Sequence, residues 1–76
     1  MSKKRQLKRA IEDIEHEIEV LEQKRERSQT AVIRAWLKGT KPSPEDANYF
    51  LTFSALIDSE RENLRKLYAE LGDLEN

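Results

Sequence analysis

Few residues in this sequence are of types that could do chemistry, and their spacing decides what that chemistry could be. His16 is the single histidine, and Glu12 stands one helical turn before it, so the two could share a metal ion as a pair of ligands. Two ligands hold zinc weakly, and no cysteine is present to complete a set. A solvated histidine among carboxylates is therefore expected, with no metal and no cofactor. Carboxylates are abundant, but acid-base catalysis needs two of them in different surroundings inside a site that excludes water. There is no glycine-rich phosphate loop, no cysteine nucleophile, and no histidine with a serine and a carboxylate placed to orient it. No enzyme activity is expected.

Charge offers two further candidates. Lys3, Lys4, Arg5, Lys8 and Arg9 crowd the start of the chain and could grip phosphates as a nucleic-acid-binding end. No aromatic residue interleaves them to stack a base, an acidic block from Glu12 to Glu22 follows at once, and the formal net charge is −1. These features favour a solvated helix start, and nucleic acid is not the partner expected. Ser43-Pro44 has the form of a proline-directed phosphorylation site, but Ser43-Pro44-Glu45-Asp46 is also a complete helix start. It supplies a capping hydroxyl, a proline at the first helical position and two carboxylates beside the exposed amides. The helix start is the reading adopted.

The elements that must position these groups follow from punctuation and period. Gly39-Thr40-Lys41-Pro42-Ser43 is the one strong interior break, and Lys38 places a cation in the last turn before it. One domain over residues 1–76 is expected, with helix one over about 3–38, a loop at 39–43 and helix two over about 44–72. In helix one, Leu7, Ile11, Ile14, Ile18 and Leu21 alternate steps of four and three, and the rhythm continues through Arg25, Ser28, Val32 and Ala35. Helix two keeps the same rhythm through Phe50, Phe53, Ile57, Glu60, Leu64, Leu67, Leu71 and Leu74. Each helix carries one coiled-coil seam, and the short loop lets them meet. The fold class expected is all-α: a two-helix antiparallel coiled-coil hairpin, with dimerisation into a four-helix bundle as a further state.

A register can be proposed by stacking Ile11 on Leu74, Ile14 on Leu71, Ile18 on Leu67, Leu21 on Leu64, Ser28 on Ile57, Val32 on Phe53 and Ala35 on Phe50. It opposes Arg25 to Glu60, the two charged residues of the seams, as a pair that fixes alignment. At the rim, Lys8 then faces Glu75 and Glu22 faces Arg61, while Glu17 faces Glu70 unfavourably.

Apolar residues beyond the seams gather at the loop end. Ala31, Trp36, Ala47, Tyr49 and Leu56 flank the seam there. Ile33, Trp36, Leu37, Tyr49 and Leu51 are expected to form a partner-binding patch, with Trp36 as its anchor. Wrapping of these residues around one another is the plainer alternative. The partner is another protein or a second copy of the chain, because a core of this size contributes only about 3 to 5 kcal/mol and no disulfide supplements it. Charged residues make up 38% of the chain, and no apolar run reaches membrane-spanning length, so no membrane association and a cytoplasmic location are expected.

In general layout, residues 31 to 74 resemble the small helical-hairpin co-chaperones of bacterial type III secretion needles. The likeness lies in the run from Ala31-Val32-Ile33 through Leu37-Lys38-Gly39, then from Tyr49-Phe50 to Leu71. It implies a non-catalytic adaptor or co-chaperone that presents its loop end, and a phage-encoded inhibitor has the same features. Two alternatives remain. One is an RNA-binding four-helix bundle resembling the plasmid copy-number regulators, with the basic end as its contact. The other is a structural coiled-coil subunit of a larger assembly.

Overall fold

The computed structural model describes residues 2–75; the first and last residues of the expected 1–76 domain lie outside the described residues. Two helices, α1 (Lys3–Leu37) and α2 (Pro44–Glu75), pack against each other as an antiparallel hairpin measuring 52 × 18 × 15 Å. No strand occurs among the described residues, and no helix there is long and apolar enough to cross a membrane.

Local chemistry sets the ends. Ser2 caps α1, its Oγ accepting from the Arg5 amide at 3.2 Å, a cap that the charged sequence around it conceals. At the other end Gly39 takes φ 71°, and its amide donates to the Trp36 carbonyl at 3.0 Å while the Thr40 amide donates to the Ala35 carbonyl at 2.8 Å. This pair of reversed bonds satisfies carbonyls that the helix leaves over, and it needs the left-handed residue that glycine allows. Ser43 caps α2: its Oγ accepts from the Asp46 amide at 3.1 Å and donates to the Asp46 carboxylate at 3.0 Å. The helix does not stop near Gly72 but continues to Glu75. A glycine inside a helix costs only about 1 kcal/mol, and this one lies where the helix is already paired along its length.

The seams meet, but one heptad away from the alignment proposed from sequence. Leu7, Ile11 and Leu71 form one buried cluster, with Leu64 and Leu67 packed against it. Leu7, which the proposed alignment left beyond the last layer, is 8% exposed, whereas Leu74, assigned to Ile11, is 46% exposed. The slide gives Leu7 a partner and moves the loss to the last turn of α2. Rim contacts agree with it. Glu22 does meet Arg61, at 3.9 Å, but Glu70 meets Lys3 at 3.5 Å rather than Glu17, and Glu75 meets Lys4 at 3.7 Å rather than Lys8.

The Arg25–Glu60 layer is the main casualty. The Arg25 guanidinium lies over the Phe50 ring, 5.9 Å from its centroid, and its Nη1 donates to the Ser54 Oγ at 3.1 Å. Glu60 instead accepts from the Asn63 side-chain amide at 3.1 Å, and no ion pair joins it to Arg25 among the described residues. Two charged residues in one seam are thus held in separate layers. Each charge is half-buried and answered by its own local polar or aromatic neighbour.

Candidate functional site

Heptad position decides which side chains share a face, and the slid register decides which of them stand side by side. On one flank of α1, Glu15, Glu22, Gln29 and Trp36 recur every seven residues; on α2, Ala47, Ser54, Arg61 and Tyr68 do the same. Two contacts tie these flanks together: the Tyr68 hydroxyl donates to the Glu15 carboxylate at 3.1 Å, and Arg61 pairs with Glu22. Extending the series towards the loop brings Trp36 alongside Ala47. Ile33 and Leu51 stand just outside them on the same side, one on each helix. The Glu15 carboxylate also holds the Tyr68 phenol above its usual range, chiefly through that hydrogen bond. A raised phenol pKa means that the bond is kept below the ordinary tyrosine value of about 10 and lost only as pH climbs through the higher folded value.

The opposite flank is built from Lys3, Glu17, Lys24 and Ala31 of α1 with Tyr49, Leu56 and Glu70 of α2, joined by the Lys3–Glu70 pair. Tyr49 stacks on Phe53 with ring centroids 6.2 Å apart and planes 13° from parallel. Beside them runs a shallow, open groove of about 550 Å³, walled by Lys24 and Arg27 on α1 and by Glu45 and Asp46 on α2.

The five residues expected to make one patch therefore separate. Ile33, Trp36 and Leu51 share a flank, Leu37 lies at its rim on the outer side of α1, and Tyr49 belongs to the other flank. All are exposed: Trp36 by 65%, Leu51 by 64% and Leu37 by 82%. Trp36 and its neighbours on this flank, with Leu37, present on the order of 500 Å² of apolar surface, near the top of the range for the largest patch on a monomer. Arg25 stands below this patch, with its Nη1 on Ser54 and its buried Nε unpartnered. Sequence reasoning placed Arg25 opposite Glu60 and so missed this position; Ser54, a polar residue on the Trp36 flank of α2, was the available sign.

The other candidates are placed as follows. Lys3 and Lys4 of the basic end are engaged by Glu70 and Glu75, while Arg5, Lys8 and Arg9 are exposed along α1. His16 and Glu12 are exposed, and no three metal-ligating side chains gather among the described residues. Glu62 and Arg65 form a two-pronged pair at 2.7 and 3.0 Å that lowers the Glu62 pKa and raises that of Arg65. Both are exposed, Arg65 at the edge of the Trp36 flank and Glu62 beyond it, and such an exposed pair contributes little.

Comparison with protein-family models, curated proteins and solved structures gave no match.

Proposed function

We propose that the hairpin is a non-catalytic protein-protein interaction module, of the adaptor, co-chaperone or inhibitor kind, that docks through the Trp36 flank at its loop end. The observation that carries this reading is the placement of Ile33, Trp36 and Leu51 side by side on one flank, exposed to solvent. Large side chains are held there by well-capped helix ends. The bonds from Gly39 and Thr40 back to Trp36 and Ala35 lock the backbone that carries the tryptophan, so little ordering cost remains on binding. Tryptophan is also prominent among the few interface residues that carry most binding energy. The RNA-binding alternative has less behind it, because two of its five cations already face carboxylates.

Placing a photo-crosslinking amino acid at Trp36, and separately at His16 on the outer side of α1, tests the reading in cells that make the protein. A protein adduct is expected from position 36 and none from position 16. Equal labelling, or no adduct at position 36, contradicts it.

A further inference from the structure

We infer that the Trp36 flank is covered by a second copy of this chain, lying alongside the first with both loops at the same end, so that two hairpins form a four-helix bundle. This rests on the docking reading above and names its occupant.

Surface area supplies the first reason. A folded monomer of 8.9 kDa is expected to expose about 4,800 Å², and this chain exposes 5894 Å². The excess, about 1,100 Å² per chain, is what a thin hairpin leaves uncovered on its long sides. Specific pairs bury about 800 Å² per partner, and permanent homodimers bury more. One side-by-side partner would therefore restore ordinary burial. The interior is correspondingly thin, with Ile57 its one large side chain to be fully buried among the described residues.

Charge supplies the second reason and sets the orientation. On the Trp36 flank, α1 carries a carboxylate ridge of Glu12, Glu15 and Glu19, and α2 carries Arg61 and Arg65 at the same height along the hairpin. Within the chain Arg61 meets Glu22 and Asp58, Arg65 meets Glu62, and Glu15 accepts from Tyr68, but both guanidinium groups stay more than half exposed and keep donors free for a second carboxylate. A two-fold axis along the long dimension sets α1 of each copy over α2 of the other. Each ridge then faces the other copy's two guanidinium groups, and the contact occurs twice. The same operation lays Ile33 and Trp36 over the partner copy's Ala47 and Leu51. Turning the second copy end for end instead sets α1 on α1, brings Glu15 and Glu19 over the second copy's Glu26 and Glu22, and places Trp36 over the charged far end. Like charges across an interface select against that arrangement.

Light scattering across a range of concentrations, with small-angle scattering on the same samples, tests the inference on the full chain. The expected result is twice the chain mass with a long dimension still close to the single hairpin's 52 Å. Trp36→Ala with Leu51→Ser should raise the dimer dissociation constant at least about thirtyfold while helicity is kept. Arg61→Glu with Arg65→Glu, which leaves the apolar patch intact, should weaken the dimer about tenfold at low salt and less at high salt. A monomer at every concentration overturns the second copy, and so does a dimer near twice that length. If such a monomer still gives crosslinks from position 36 to another protein, the docking reading stands without the second copy. A compact dimer indifferent to both variants removes the Trp36 flank from both proposals.

Discussion

Ile57→Ala is expected to leave a large fraction of the population unfolded at room temperature. Ile57 has no exposed surface and lies in the middle of the hairpin, where the chain can least collapse around a missing side chain. Truncating a fully buried isoleucine costs about 3 to 4 kcal/mol, part from lost transfer energy and part from the cavity left behind. A core of this size supplies about 3 to 5 kcal/mol in total, so the loss is comparable with the whole stability. Ile57→Val, which removes a single methylene, should cost only about 1 kcal/mol and leave the fold intact. Urea unfolding followed by circular dichroism, with all variants at one protein concentration, checks both values.

Arg25→Met is expected to stabilise the hairpin by about 1 to 2 kcal/mol. The guanidinium is half-buried in the seam, its Nε has no partner, and no carboxylate compensates its charge among the described residues. Exchanging such a cation for an apolar side chain of similar length removes a desolvation cost and lets Phe50 pack against a flexible thioether. Two favourable contacts are given up, the hydrogen bond to Ser54 and the stacking over Phe50, each contributing about 1 kcal/mol. Because Glu60 takes no part, the same gain should appear in a Glu60→Gln background, with a coupling between the two positions below about 0.5 kcal/mol. A coupling well above that value would mean that the two charges meet after all.

The seams were legible because alternating steps of four and three over so many turns admit no other element, and both inner helix boundaries were announced by Gly39 and by Ser43-Pro44. The register was not legible for a reason intrinsic to heptads. Sliding one helix by seven residues returns every seam position to another seam position, so hydrophobic periodicity alone cannot distinguish the two alignments. The coincidence of Arg25 with Glu60 favoured the wrong one, since it treated the seam charges as a pair when each has a local neighbour instead. Burial of Leu7 and contact between Arg25 and Phe50 favour the other, and neither is a periodic property. Grouping the exposed residues failed similarly. Trp36 and Tyr49 are both apolar and both near the loop, but they occupy opposite flanks of the seam, which their heptad positions distinguish and their nearness to the loop does not. The continuation of α2 past Gly72 reflects a small helix penalty outweighed by tertiary pairing.

Which side chains of α2 stand beside Trp36 follows from the register, and proton-proton contacts in a nuclear Overhauser spectrum of the unmodified protein measure it most directly. Contacts between the Leu7 and Leu71 methyls, and between the Phe50 ring and the Arg25 side chain, are the result expected. Contacts from the Phe50 ring to the Ala35 methyl, together with Ile11 to Leu74, would place the helices one heptad away, set Trp36 beside Ser54 in place of Ala47, and contradict the apolar grouping proposed for docking.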